Sequence, residues 1–127
     1  MIVKSTAAGY TRTAAGLNAA IERRGLTVFA RIDHAAGAAS VGMDIPPEEV
    51  FIFGNPQAGT PLMQADPKAG YELPLRILLW QEGDRVMIGY RDPRELAGEY
   101  ALADRGAILD RLAGLLADLA AEATAGG

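Results

Sequence analysis

The only histidine of this 127-residue chain, His34, follows directly on Asp33, and acid–base chemistry would have to start from that pair. An imidazole titrates close to neutral pH and a carboxylate can orient it, so the two suit the general base of a small hydrolase or isomerase. They suit polar contacts to a ligand equally well. The pair closes Val28-Phe29-Ala30-Arg31-Ile32, which alternates in strand fashion, and opens the small-residue run Ala35-Ala36-Gly37-Ala38. Neighbours in a strand point to opposite faces, so a direct bond between Asp33 and His34 requires the strand to have ended or bulged there. The plain alternative has His34 capping the sheet core and Asp33 accepting from loop amides around Gly37.

Phe53-Gly54-Asn55-Pro56, followed by Gly59-Thr60-Pro61, carries the next group of polar residues. Glycines let a ligand approach the backbone and a helix N-terminus presents unpaired amides, so Asn55 and Thr60 could cradle an anion. No phosphate-loop lysine follows. A tight turn and a short helix capped by Thr60, with Pro61 at its first position, account for the same residues. Arg31 and Arg76 sit inside strand patterns, where they bind a carboxylate on an open sheet face or form salt bridges at an edge or dimer contact. Tyr90 and Trp80 offer rings that wall a pocket or pack in a core or interface.

Composition removes several classes of function. Twelve Lys and Arg against sixteen Asp and Glu leave a net charge of −4, with no basic run, so a nucleic-acid groove is not expected. Cysteine is absent, which removes disulfides, thiolate metal sites and Cys nucleophiles, and cytoplasm is the default location. With one histidine and no helical ligand pair, neither a metal site nor a cofactor is implied. Ser5 and Ser40 lie in no nucleophile elbow. The chain has no apolar run long enough for a secretory leader or a membrane span.

These residues need a scaffold, and the length fits one domain, expected over residues 1–122 with 123–127 as a frayed tail. Ile2-Val3-Lys4-Ser5-Thr6 reads as an edge-prone strand. Thr11 caps a helix carrying Ala14, Leu17, Ala20 and Ile21 on one face, and Gly25 stops it. Leu26–His34 is a second strand, with Val28, Ala30, Ile32 and His34 on one face. Residues 35–49 read as a long loop, with at most a short helical turn. Val50-Phe51-Ile52-Phe53 is a strand covered on both faces. Two strands around Gln81-Glu82-Gly83-Asp84-Arg85 form a hairpin, and a short helix follows Pro93. From Ala107, Ile108, Leu109, Leu112, Leu115, Leu116 and Leu119 make the broad stripe of a final helix. The fold class is therefore α+β, a single mostly antiparallel sheet with two long helices packed on one face. Phe51 or Ile52, with Trp80 or Ile88, makes the opposite face too apolar for water, which predicts a homodimer or a covering ligand.

Val28 to Ala38, Ile52-Phe53-Gly54-Asn55-Pro56, Gly59-Thr60-Pro61-Leu62-Met63, Leu73-Pro74-Leu75-Arg76 and Tyr90-Arg91-Asp92-Pro93 occur in an order and spacing that resembles the bacterial domain of unknown function family 302. The resemblance spans nearly the whole chain. It implies a β-α-β(4)-α topology like that of TATA-binding-protein folds, and a dimer, without implying an activity. Taken together, the residues predict a homodimeric module binding a small polar or anionic metabolite through Asp33, His34, Asn55 and Thr60, with Tyr90 as wall. Enzymatic use of His34 and a purely structural assembly role are the other two expectations.

Overall fold

The computed structural model describes residues 1–126. Five strands, β1 (Ile2–Thr6), β2 (Thr27–Asp33), β3 (Glu48–Gly54), β4 (Leu75–Glu82) and β5 (Arg85–Tyr90), form one sheet in the order β1-β5-β4-β3-β2. Every neighbouring pair is antiparallel. Strands β2 to β5 run as a meander, and α1 (Tyr10–Arg23) carries the chain from the β1 edge to the β2 edge. The hairpin joining β4 to β5 turns on Gly83-Asp84, with Gly83 at φ +61, the left-handed geometry that a two-residue turn needs at its first position.

Alternation along the strands sorts residues onto two faces. Glu49, Phe51 and Phe53 of β3, Ile77 and Leu79 of β4, and Val86, Ile88 and Tyr90 of β5 are buried on the helix side. Of the residues considered for the open face, Phe51 and Ile88 thus belong to the core. Ile52 and Trp80 remain on the far side, with Leu78 and Met87, all half-buried. The regular alternation expected of β2 is broken by a bulge between Val28 and Ala30. Val28 pairs with Phe53 on the helix side, whereas Ala30 and Ile32 pair with Ile52 and Val50 on the open face. Phe29, the extra residue, is left 55% exposed.

Helix boundaries follow local chemistry with three corrections. Helix α1 begins after Gly9 without a side-chain cap, so Thr11 lies inside its first turn, and Thr13 instead bonds back to the Gly9 carbonyl. Its end is as expected: Gly25 takes φ +71 and the Leu26 amide reaches the Ile21 carbonyl. The expected loop after β2 starts with α2 (His34–Ser40), capped by Asp33 and with no buried residue. Helix α3 (Pro56–Ala65) is capped by Asn55 with Pro56 at its first position, so Thr60 and Pro61 lie within the helix. Both Asn55-Pro56 and Thr60-Pro61 offer a cap followed by proline, and Asn55 acts because β3 ends at Gly54, directly before it.

The last helix, α4 (Gly106–Thr124), runs beyond the expected boundary, and Ala123 is buried rather than frayed. Gly127, part of the expected tail, lies outside the described residues. Its stripe serves two clusters. Leu116, Leu119, Ala120 and Ala123 join the main core with α1 and the sheet. Leu109 and Leu112 join a second core with Leu62 of α3, Ala69, Leu96 and Leu102. Leu75 at the start of β4 packs against both.

Glu122 fastens α4 to α1, accepting from Arg24 at 2.7 and 2.8 Å and from Arg23 at 3.0 Å. Hydrogen bonds from Arg24 hold its carboxyl at about 2, against an ordinary 4.5. A carboxylate depressed in this way stabilises the fold above its unfolded pKa, and the contribution disappears as pH falls from 4.5 towards about 2. Thermal melts across the acid range should therefore show Glu122→Gln less stable than the parent near neutrality and level with it at the acid end. Salt should shrink the difference, because the pair is solvent-exposed.

Candidate functional site

The antiparallel pairing of β2 with β3 decides where the expected site residues go. Asp33 pairs with Glu49 at one end of the hairpin, while Thr27 pairs with Gly54 at the other, immediately before Asn55. Six strand residues at about 3.3 Å each put His34 and Asn55 about 20 Å apart. The pocket expected from Asp33, His34, Asn55 and Thr60 together is therefore not formed: their strand tips would converge only if the two strands ran parallel. Asn55, Thr60 and Tyr90 do share the end of the sheet where β3 and β5 finish and β4 begins.

At the other end, Asp33 Oδ1 accepts from the Ala36 amide at 2.8 Å, which agrees with the plain reading of that carboxylate. His34 opens α2 as an exposed residue and so does not cap the sheet core. Among the described residues its ring makes no side-chain hydrogen bond. Beside this pair, on the helix face, stands a cluster that sequence reasoning did not assemble. Arg31 Nε and Nη2 donate to the two oxygens of Glu49 at 3.0 and 2.9 Å, and its guanidinium lies 4.5 Å from the Phe51 ring centroid. Tyr10 donates to the same carboxylate at 3.3 Å, and burial, then the Glu49 charge, pushes its hydroxyl pKa upward. Every strong group there is matched, so the cluster locks β2, β3 and α1 together. Strand parity held the signal, since Glu49 precedes Phe51 and Phe53 on the buried side.

Two of the cavities among the described residues lie at the opposite end, on the seam between the cores. The first, about 310 Å³, is walled by Leu73, Leu75, Leu78, Tyr90 and Leu112, with Glu72, Arg76 and Arg91 as its charged groups. Arg91 is committed: it donates to Glu72 at 2.6 Å, pairs with Glu99, and lies 3.5 Å from Glu95. Tyr100 also donates to Glu72, at 3.2 Å, and burial followed by that carboxylate's charge raises its pKa. Arg76, by contrast, is exposed and takes part in no ion pair among the described residues. Tyr90 is 4% exposed and belongs to the core as much as to the cavity wall, with burial raising its pKa.

The second cavity, about 280 Å³, lies under α3 and is lined by Leu26, Phe29, Met63, Pro74 and Leu115, with Asn55 and Thr60 as its polar side chains. Asn55 Oδ1 accepts from the Ala58 amide at 2.9 Å, which leaves its amide nitrogen as the free donor for a ligand. Asp66 completes the scaffold below: it is buried and accepts from the Ala101 and Lys68 amides, both at 3.0 Å. Those bonds, the Ala101 one first, lower its pKa. Among the described residues no three His, Asp or Glu side chains gather closely enough to hold a metal ion.

A five-stranded antiparallel sheet with α1 and α4 on one face and a second small core at one end define an α+β domain. The profile of the domain of unknown function DUF302 matches residues 1–119, and the chain belongs to that family. A crystal structure of an uncharacterized conserved DUF302 protein from Bacillus stearothermophilus superposes with a TM-score of 0.84 at 21% identity, covering 96% of both chains. That likeness speaks for the fold, including the topology expected from the sequence. Curated relatives are named fluoride-specific ion channel FluC 1, from Brucella suis biovar 1 and Brucella abortus biovar 1, each 47% identical over 79 residues, or 61% of this chain. The chain matches 31% and 29% of their lengths. No helix among the described residues is long and apolar enough to cross a membrane.

The two polar sites should respond differently to mutation. Asn55→Ala removes a helix cap and should cost about 1 kcal/mol, whereas exposed His34→Ala should change stability by less than about 0.5 kcal/mol. Urea unfolding of the two variants checks both.

Proposed function

We propose that this domain is a small-molecule binding module that takes a small anionic metabolite in the cavity beside Arg76, and that it works as a homodimer. The observation carrying the reading is Arg76 itself, a guanidinium on the wall of the first cavity that has no carboxylate partner among the described residues, whereas the other charged groups there, Glu72 and Arg91, are paired with each other. Arg91 on the same wall is already satisfied, so an incoming anion meets one open fork rather than two. In this reading Tyr90, which lines the same cavity, serves as a wall of the site. Asp33 and His34 leave the site, and the exposed His34 ring makes no side-chain hydrogen bond among the described residues that would support general-base catalysis.

Pairing through the open sheet face is supported by its composition: Val3 is 41% and Ile32 45% exposed, with Ile52, Leu78, Trp80 and Met87 half-buried between them. Arg76 stands on that face, opposite Ile52, so a second copy would close the mouth of the cavity. The match to about a third of longer proteins named for a fluoride channel fits a module that reports on a small anion to another unit.

A thermal-shift screen of small carboxylates, inorganic phosphate and sodium fluoride tests the site. A true ligand at a hundredfold excess over its Kd should stabilise the parent by about 2.7 kcal/mol, and Arg76→Ala should abolish the shift. A shift that survives in Arg76→Ala would move the site elsewhere. Separately, analytical ultracentrifugation should find a dimer that Val3→Glu or Ile32→Glu converts to monomer; a monomeric parent protein would overturn the pairing. A dimer that no ligand in the screen stabilises would make the domain an assembly module.

A further inference from the structure

The two seam cavities share walls: Leu73, Leu75 and Leu112 line both. Leu112 is buried in the second core, but Leu73 and Leu75 are only half-buried and Leu75 touches both cores, so the movable part of the partition is Leu73 and Leu75. A leucine held on one side only can change rotamer without opening a packed interior.

Polarity falls from one chamber to the next. The first holds Arg76, Arg91 and Glu72. The second offers Asn55 and Thr60 against Leu26, Phe29, Met63, Pro74 and Leu115. Phe29 is 55% and Met63 38% exposed, large apolar side chains left at the rim of an apolar hollow. Each chamber alone, at about 310 and 280 Å³, sits at the foot of the range for ligand cavities, roughly 300–1,000 Å³; joined, they fall inside it.

We propose that the ligand of this domain is a monocarboxylate with an unbranched hydrocarbon tail, its head on Arg76 and its tail passing the Leu73-Leu75-Leu112 partition into the chamber beneath α3. This rests on the reading of the Arg76 cavity given above. The planar guanidinium fork matches a carboxylate, and Glu72 on the same wall disfavours a doubly charged phosphate head. The second chamber then has a use that no polar metabolite would give it.

Calorimetric titration of the full chain with butyrate, octanoate and dodecanoate, below their aggregation limits, tests the idea. Affinity should climb steeply with length, by up to about fourfold per methylene while the tail is being buried. Met63→Trp, which fills the second chamber from its rim, should weaken dodecanoate by roughly tenfold or more, reflecting the loss of two or more buried methylenes. Thr60→Trp fills it from the neighbouring turn and should have the same effect, with melting curves of both variants as the check that they remain folded. Butyrate binding with no gain for longer chains overturns the two-chamber ligand while sparing the Arg76 site. Binding by none of the three overturns the monocarboxylate ligand, and the Arg76 site falls with it only where phosphate and fluoride also fail to bind. Equal binding of dodecyltrimethylammonium shows that the head plays no part, and the carboxylate class falls.

Discussion

Helix α4 is the constraint on which the rest of the molecule depends, because one stripe of leucines has to satisfy two cores at once. Leu116 and Leu119 pack over the sheet and against α1, and Leu109 and Leu112 pack over α3 and the turns around Leu96 and Leu102. Each leucine so buried contributes roughly 2 kcal/mol, so neither half of the stripe can be released cheaply. Where the two cores meet beneath the helix, packing is incomplete. The cavities lie there, beside Leu112, with Leu75 reaching up from the sheet to the same seam.

The charged groups divide according to the part they play. At the β2 end, Arg31, Glu49 and Tyr10 satisfy one another and tie the edge strand to the helix layer. At the seam, Arg91 joins Glu72, Glu95 and Glu99 and holds the segment after β5 against the turn before β4. These matched groups build the frame. Arg76, like Arg12, Arg85 and Arg111, forms no ion pair among the described residues, and its place on the open face at the first cavity is what singles it out from the arginines that hold the scaffold.

Much of the fold was legible in the sequence because it depends on periodicities that survive any tertiary arrangement. Leu17, Ala20 and Ile21, the α4 leucines and the β4–β5 hairpin all read correctly, and they account for the layers and the sheet. The misreadings were local competitions between similar signals. Asn55-Pro56 and Thr60-Pro61 both spell a helix start, and only the end of β3 at Gly54 decides that the first one acts. The Phe29 bulge has no signature in the alternating run, because it is imposed by matching β2 to β3.

What the sequence determined by itself was the set of elements, their buried stripes and the polar residues available at their ends, since each of these is a property of neighbouring residues along the chain. Which ends come together was decided only by tertiary pairing. Antiparallel register carried Asp33 and His34 away from Asn55, and the meeting of two cores under α4 put Arg76, Tyr90 and the leucine partition around a shared hollow. Strand direction and the fit between packed layers arise from contacts between residues distant in the chain, and no local pattern records them.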